Sequence, residues 1–467
     1  MPDTWRAIAS RKKAEQASRI PAAWTLPPSF PGPETTNVLD VPRKCGLLSA
    51  AELRITEEYD ATGLVAELAA GRLKSVDIVR AFSKRAAIAH QLTNCLTEIF
   101  FESALERATA LDAYYSQHGK PMGPLHGLPI SLKDSFHIAG HDSCIGYCGY
   151  AFNPATTSAP LVQLLLAAGA VLYVKTNVPQ TLMALDSHNN LFGRVLNPAN
   201  LRLTAGGSSG GEGALLAMRG SPLGVGTDVG GSIRIPAWAN GLFGIKPSAG
   251  RVPYAGQANP GPPGGSKVGI MASAGPIAHS ARDCALFLEA VAEGKPWELD
   301  PDIVFGAWEA QGVDLGREVR VGVVRSDGVV RPVPAVLRLL DSVAGRLRGA
   351  GVRVVDVDIS ALLKRAHSIA NGLFSADGYG FIFDVLGQTG EPLSPWLQGR
   401  LRQKDPKTLA QVAELQARRD ELRTELLRVW ADVDVLLTPV APHPVPPIDG
   451  FGAVGLVKGN IGGAQAD

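Results

Sequence analysis

Two serines in separate glycine-rich segments are the side chains best suited to covalent chemistry. Ser208 lies in residues 206–211 (GGSSGG), and Ser232 lies 24 positions later, in residues 226–234 (GTDVGGSIR). Glycine weakens regular structure, so glycines around a hydroxyl group are typical of places where the backbone turns sharply or approaches a ligand closely. A serine hydroxyl needs a base, and donors for the oxyanion, before it attacks a carbonyl carbon. The two segments therefore predict a hydrolytic site.

A lysine in an apolar segment is the candidate for the base. Lys133 lies in residues 129–134 (PISLKD). A lysine accepts a proton only when it is neutral, which requires burial or a cationic neighbour to lower its pKa from about 10.4. If Ser208 lies between Lys133 and Ser232, a proton can pass from Ser232 through Ser208 to the amine. The alternative is a lysine whose ammonium group extends to the surface, which is the commoner role of a lone lysine in a strand.

The backbone before Ser232 is suited to bind a negative oxygen. Residues 229–231 (VGG) can turn consecutive N–H groups toward one point. Asp228 and Arg234 flank this loop, and we expect them to brace it by pairing with each other.

A nucleophile elbow is the main alternative for the first serine. The pattern Gly-x-Ser-x-Gly around Ser208 would make it the nucleophile of a Ser-His-Asp esterase, with His367 or His443 as the base. Residues 201–205 (LRLTA) would form a poor buried strand before such an elbow. A phosphate loop is disfavoured because the Lys-Ser/Thr ending is missing and Glu212 would repel phosphate.

Apolar spacing predicts an α/β protein, in which helices give way to alternating strands and helices. Residues 1–60 are polar and predict an N-terminal arm on a domain of residues 61–467. Residues 251–269, rich in Pro and Gly, predict a surface loop near the mouth of the site. The predicted helices are 62–70, 75–90, 103–115, 161–168, 334–348 and 409–429, and the predicted strands are 170–174, 319–324, 352–357 and 433–437.

Composition excludes several classes of partner. The net charge is +1 and hydrophobic residues make up 45% of the chain. This composition is globular, and it argues against the large basic face that nucleic acid or an anionic membrane requires. The best candidate for a membrane span, residues 159–174, is shorter than the ~20 apolar residues needed. No secretory signal is visible after Met1, so we expect a cytoplasmic protein.

Cysteine usage predicts reduced thiols and no metal site. Five cysteines are an odd number and too sparse for a disulfide framework in a chain of 467 residues. Cys144 and Cys148 lack a second Cys or His pair at the spacing of a zinc site. We therefore expect neither a metal nor a cofactor.

The three segments together resemble the amidase signature family. This resemblance implies a Ser-Ser-Lys triad with a cis peptide at the middle serine, in which Ser232 is the nucleophile, Ser208 the bridging residue and Lys133 the base. Leu182, in residues 177–182 (NVPQTL), resembles in its position the residue whose backbone helps line the substrate site in members of the family. The oxyanion-hole and substrate-binding positions implied by the resemblance are Leu182, Ser208, Val229, Gly230, Gly231 and Ser232.

The resemblance also implies a fold and a reaction. The fold is the amidase signature fold, an α/β architecture with a central mixed β-sheet flanked by helices on both faces. The reaction is hydrolysis of a carboxylic amide to an acid and ammonia or an amine, through an acyl-enzyme. The chain is most similar to acetamidases and next to fatty acid amide hydrolase, and unlike the membrane-bound fatty acid enzyme we expect it to have no N-terminal hydrophobic anchor. Small or soluble amides are therefore favoured as substrates over lipid amides. The expected partner is a small-molecule amide, and assembly into a homodimer is left open.

The C-terminal residues depart from the family pattern. Family members continue into further strands and a closing helix, whereas this chain has residues 451–459 (FGAVGLVKG) and stops at Asp467. We therefore expect a C-terminally shortened domain, with a sheet edge and apolar helix faces left uncovered. An inactive relative that only binds its ligand is the alternative this departure raises, and a glutaminase subunit of an amidotransferase is a further one.

Overall fold

Helices and strands alternate along most of the chain, which is the pattern of an α/β protein. The computed structural model describes residues 4–32, 34–262, 264, 269–306, 308 and 318–448. The strands are β1 (Leu96–Ile99), β2 (Pro129–Lys133), β3 (Val171–Thr176), β4 (His188–Asn189), β5 (Gly193–Arg194), β6 (Leu223–Asp228), β7 (Phe243–Gly244), β8 (Ser273–Ala278), β9 (Arg320–Val323), β10 (Arg353–Asp356) and β11 (Val435–Leu437). The α-helices are α1 (Trp5–Ser18), α2 (Val41–Lys44), α3 (Ala50–Glu58), α4 (Ala61–Ala69), α5 (Ser75–Thr93), α6 (Phe101–His118), α7 (Pro160–Ala167), α8 (Gly210–Ala217), α9 (Arg234–Ala239), α10 (Ala281–Glu293), α11 (Pro334–Gly349), α12 (Ser360–Phe374), α13 (Gly380–Gly387) and α14 (Leu409–Val429). Short 3-10 helices span Ala22–Trp24, Cys148–Tyr150, Gln180–Leu182 and Pro296–Glu298.

The central sheet is mixed and contains six strands in the order β1-β3-β2-β6-β8-β7. Strand β2 lies parallel to both β3 and β6, whereas β8 runs antiparallel to β6 and β1 antiparallel to β3. Strand β2 is therefore paired on both sides, and all five of its residues are buried. This explains its apolar sequence, since a parallel strand covered on both faces is hydrophobic along its whole length.

Two hydrophobic cores cover opposite faces of this sheet. Leu172 of β3 packs in one core with residues of α4, α7 and α10. Its neighbours Val171 and Tyr173 pack in the other core, with residues of α6 and α8. Alternate residues of a strand point to opposite faces, so helices flank the sheet on both sides. The predicted fold class, a central mixed sheet between layers of helices, is confirmed.

A smaller parallel sheet forms in the C-terminal part of the described chain. Its strand order is β10-β9-β11. Helix α11 covers it, with Leu340 and Ala344 packed against Val323 of β9. The strands and the helix predicted for this part of the sequence are confirmed.

The N-terminal residues contain helices that apolar spacing does not predict. Helix α1 buries Ala9, Lys12 and Gln16, so two of these three buried side chains are polar. Lys12 lies within 2.7 Å of Asp142 Oδ2 and of Glu98 Oε1, and these contacts join α1 to the body of the protein. The division into an arm of residues 1–60 and a domain of residues 61–467 stays a prediction. The C-terminal segment 451–459 lies outside the described residues.

Candidate active site

The carboxyl end of β2 places Lys133 in the protein interior. Its side chain is 0% exposed, so the alternative of a lysine extending to the surface is wrong. Lys133 Nζ lies 2.7 Å from Ser208 Oγ and 2.7 Å from Thr227 Oγ1. These contacts bring together two of the predicted catalytic residues, which lie on different elements.

Ser208 lies in the loop that leads into helix α8. The peptide bond between Gly207 and Ser208 is cis, as the family resemblance implies. The glycine at position 211 lets the first turn of α8 lie against the end of β3, where its N–H donates to Asn177 O at 2.9 Å. A Cβ atom at this position would overlap the backbone of Asn177 and lie 2.6 Å from Cys95 O. Glycine is thus required here by close backbone approach.

Ser232 lies between strand β6 and helix α9, and it lines the same cavity as Ser208. Asp228, the last residue of β6, accepts hydrogen bonds from the backbone N–H of Gly231 at 2.7 Å and of Ile233 at 3.0 Å. Arg234 Nε donates to the same carboxylate at 3.0 Å. The predicted pairing of Asp228 with Arg234 is therefore confirmed, and the carboxylate also holds the loop that presents Ser232.

The resemblance places the oxyanion hole at the backbone N–H groups of Val229, Gly230, Gly231 and Ser232, and these four groups are not equivalent. Gly231 donates its N–H to Asp228, and its φ of 114° lies in the region that favours glycine. Within the described part of the chain, the N–H groups of Val229, Gly230 and Ser232 have no hydrogen-bond acceptor. Three of the four predicted donors thus keep their N–H groups unbonded in this part of the chain, and their binding of a negative oxygen stays a prediction.

Leu182 lies on the wall of the cavity in an unusual backbone conformation. Thr181 and Leu182 both have positive φ, at 70° and 60°. Such angles are uncommon in residues with a side chain, and the surrounding contacts must hold them. The residue before them is held in place, because Gln180 Nε2 donates to Glu391 Oε1 at 2.6 Å and Gln180 Oε1 accepts from Ser394 N at 2.7 Å. Sequence reasoning identified Leu182 by resemblance but not this support.

The cavity beside Ser208 and Ser232 has a volume of about 600 Å³. Its walls are mainly apolar and come from the Gln180–Leu182 segment, from α12, α13 and α14, and from the connection between β7 and β8. Tyr254 and Asn259 line it, which confirms the predicted position of the 251–269 loop for its described residues. The apolar side chains that line the cavity include Leu182, Leu373, Phe374, Tyr379, Ile382 and Val412.

Burial lowers the pKa of Lys133 to about 7, and the negative charges of Asp228 and Glu212 oppose this shift. Among the described residues, Lys133 forms no salt bridge. At a pKa near 7 a large fraction of the amine is neutral at physiological pH, which is the state a base requires. The predicted effect of burial on this lysine is confirmed in direction.

A second buried lysine on the neighbouring strand has a different environment. Lys175 of β3 is paired in register with Leu132, whereas Lys133 is paired with Thr176, so the two lysines lie on opposite faces of the sheet. Lys175 Nζ donates to Ser143 Oγ at 2.7 Å and lies 3.8 Å from Asp134 Oδ1. This lysine therefore has a carboxylate partner and contacts neither Ser208 nor Ser232 within the described residues.

The histidines of the esterase alternative lie elsewhere. His367 Nε2 is 2.9 Å from Asn371 Nδ2 on its own helix, α12. Neither His367 nor His443 is among the described residues that line the cavity of the two serines. In the part of the chain that the structure describes, neither of these two histidines is thus brought to Ser208. Among the described residues, no helix combines the length and the hydropathy needed to cross a bilayer.

Comparison with known proteins shows the family to which this chain belongs. A model of the Amidase family matches residues 77–458. The chain is 41% identical to an acetamidase of Aspergillus oryzae and 38% identical to an acetamidase of Emericella nidulans, over 94% and 95% of this chain and 82% of each relative. A solved structure of fatty acid amide hydrolase superposes with a TM-score of 0.89 at 34% identity, covering 98% of this chain and 81% of that one. The chain therefore belongs to the Amidase family and is a hydrolase that acts on amide C–N bonds.

Proposed function

We propose that Ser232 is the nucleophile of this amidase, Ser208 the residue that relays its proton, and Lys133 the base. The observation that supports this assignment most directly is the 2.7 Å contact between the buried Lys133 Nζ and Ser208 Oγ. Ser208 and Ser232 both line the cavity, whereas Lys133 lies behind Ser208 and is fully buried. This order of groups suits a proton transfer that begins at the cavity and ends in the interior.

The proposed reaction proceeds through an acyl-enzyme. Neutral Lys133 accepts the proton of the Ser208 hydroxyl group. Ser208 Oγ in turn accepts the proton of the Ser232 hydroxyl group while Ser232 Oγ attacks the carbonyl carbon. The N–H groups of Val229, Gly230 and Ser232 donate to the oxygen that becomes negative. The proton then returns through Ser208 to the amide nitrogen, the C–N bond breaks, and ammonia or an amine leaves. A water molecule then attacks the ester of the acyl-enzyme, with the same proton transfers, and this step releases the acid and restores Ser232.

The cavity supports an amide whose acyl group is apolar and larger than acetyl. A volume of about 600 Å³ lies in the range of pockets that enclose whole small-molecule ligands, roughly 300–1,000 Å³. Leu373, Phe374 and Ile382 offer apolar surface to such a group, and burying it contributes binding free energy. The name acetamidase belongs to the relatives, and the cavity of this chain favours substrates with more carbon atoms than acetamide.

Release of ammonia from a panel of primary amides tests both parts of this proposal. The panel runs from acetamide through longer alkyl amides to aryl amides, with Ser232→Ala measured beside the parent protein. We expect turnover that depends on Ser232, with kcat/KM rising from acetamide to the larger acyl groups. Equal turnover by Ser232→Ala would refute the assignment of the nucleophile, and a maximum at acetamide would refute the preference for larger groups.

A fluorophosphonate probe tests the alternative of an inactive relative. Such a probe labels a serine whose hydroxyl is activated, so we expect mass spectrometry to find the label on Ser232. A folded protein that is not labelled would support the alternative of a ligand-binding relative without activity.

Four further properties belong to this proposal. We expect the enzyme to need no metal or cofactor, so that prolonged treatment with EDTA leaves kcat/KM unchanged. We expect it in the cytoplasm, which imaging of a tagged full-length chain in its host would test. A homodimer is the assembly to test by sedimentation, and limited proteolysis would test the boundary between residues 1–60 and the domain of residues 61–467.

A further inference from the structure

A buried glutamate joins the element that carries Ser208 to the strand that carries Lys133. Glu212, in the first turn of α8, is 0% exposed. Its Oε2 accepts a hydrogen bond from Ser131 Oγ at 2.6 Å, and its Oε1 accepts one from Thr176 Oγ1 at 2.7 Å. Both partners are neutral hydroxyl groups, so the carboxylate is buried without an Arg or Lys in direct contact among the described residues.

These two hydrogen bonds hold α8 against adjacent strands. Ser131 lies two residues before Lys133 on β2, so both side chains lie on the same face of the sheet. Thr176 of β3 is paired in register with Lys133. The carboxylate thus contacts β2 and β3 on the same face of the sheet from which Lys133 reaches Ser208. Ser208 itself lies only four residues before Glu212 in the sequence.

A glycine in β6 makes room for this carboxylate. Gly224 is paired in register with Ser131, and a Cβ atom at position 224 would overlap Glu212 Oε2 and lie 2.9 Å from Ser131 Oγ. A strand interior is an unfavourable place for glycine, so its presence here indicates close approach by another group. The sheet therefore provides a fitted site for the Glu212 side chain.

Few charged groups face this site. Lys133 is the cation whose charge interacts with Glu212, and Asp228 also acts on Lys133 from the end of β6. Tyr173 of β3 and Cys95 before β1 lie close enough to interact with Glu212, but burial raises the pKa of both, that of Cys95 to about 12, and keeps them neutral. Burial also raises the pKa of Glu212 to about 7, and the two hydroxyl donors and Lys133 oppose this shift.

We propose that Glu212 is a positioning residue of this amidase, which fixes the contact between Lys133 and Ser208 and balances the charge of Lys133 when that residue holds the proton. The proposal rests on the proposed roles of the two serines and the lysine. Two substitutions separate the geometric role of Glu212 from its charge. Glu212→Asp keeps the negative charge, but the shorter side chain cannot reach both hydroxyl groups, so it disturbs the geometry. Glu212→Gln keeps the length of the side chain and removes the charge.

The rate of fluorophosphonate labelling of Ser232, measured from pH 5 to pH 9, separates the two effects. We expect Glu212→Gln to move the acid limb of the rate profile to lower pH by about one unit, because the ammonium form of Lys133 loses a stabilising negative charge. We expect Glu212→Asp to leave the limb in place and to lower the plateau rate by about tenfold or more, because a small displacement of reacting groups has a large effect on rate.

Glu57→Gln is the matched control. Glu57 is a partly buried carboxylate of α3 that accepts hydrogen bonds from Arg85 and Arg43, and its loss is expected to leave the limb in place. An acid limb in Glu212→Gln that coincides with that of the parent, or a normal plateau in Glu212→Asp, would overturn the proposal. If Glu212→Gln does not fold, Glu212→Asp carries the test alone. No labelling of the parent protein would refute the proposed function instead.

Discussion

At the scale of single residues, the chemistry of this site depends on where a side chain is buried and what it contacts. Lys133 and Lys175 are both fully buried on adjacent strands. Lys175 lies 3.8 Å from the carboxylate of Asp134, whereas Lys133 meets two hydroxyl groups. A buried ammonium without a contacting carboxylate is costly, so Lys133 loses its proton more readily.

The pH dependence of kcat/KM follows from the state of Lys133. Its pKa is about 7, and the neutral form is the base, so kcat/KM is expected to rise about tenfold per pH unit below pH 6 and to level off above pH 8.

Lys133→Ala is expected to lose about 10²–10⁴-fold in kcat/KM at pH 7. Part of this loss is expected to be recovered near pH 10, where hydroxide can accept the proton. A steady-state profile of both proteins checks this, and an acid limb that persists in Lys133→Ala would contradict it.

At the scale of elements, close packing of α8 against β3 positions Ser208. Gly211→Ala would favour the helix by about 0.5–1 kcal/mol in isolation. The added methyl group would overlap the backbone of Asn177, and overpacking of this kind costs about 1–3 kcal/mol. We expect a net loss of stability and a loss of activity, because backbone cannot move aside without shifting the loop of Ser208.

Gly345→Ala is the control for this substitution. Gly345 lies in α11, and a Cβ atom there would meet no heavy atom within 4 Å. Alanine is expected to stabilise this helix by about 0.5–1 kcal/mol and to leave kcat/KM unchanged. Urea unfolding and ammonia release measure both effects. Normal stability and activity in Gly211→Ala would show that the contact with Asn177 does not constrain the site.

At the scale of the whole molecule, a buried group of charges attaches the N-terminal helix to the rest of the protein. Lys12 of α1 is 3% exposed and lies within 3.0 Å of carboxylate oxygens of Glu15, Glu98 and Asp142. Lys12→Met removes the buried cation that these acids share and is expected to lower the free energy of unfolding by about 3–5 kcal/mol. The exposed neighbour Lys13 is the control, and Lys13→Met is expected to change stability by less than about 0.5 kcal/mol. Equal urea midpoints for the two variants would contradict the role of Lys12.

Residue types and spacing by themselves determined much of this protein. The helices α4 and α5 follow from apolar periodicity, because a helix that buries one face repeats its apolar residues every three to four positions. The two serine segments and the segment of Lys133 were sufficient to identify the family, because their combination is far more specific than a single motif. Helix α1 escaped prediction because its buried face carries Lys12 and Gln16, whose partners lie 130 and 80 positions away.

The tertiary structure alone decided which of these residues touch. Lys133 and Ser208 are 75 positions apart, and their 2.7 Å contact depends on the strand order β3-β2-β6 and on the path of the loop before α8. The contacts of Gly231 and Glu212 likewise depend on the tertiary structure. Gly231 donates its N–H to Asp228, and Glu212 accepts a hydrogen bond from Ser131, although the sequence suggested Glu212 only as a residue that repels phosphate. Local propensity is set by neighbours in sequence, whereas contact, burial and pKa are set by neighbours in space, and strand register brings those neighbours together.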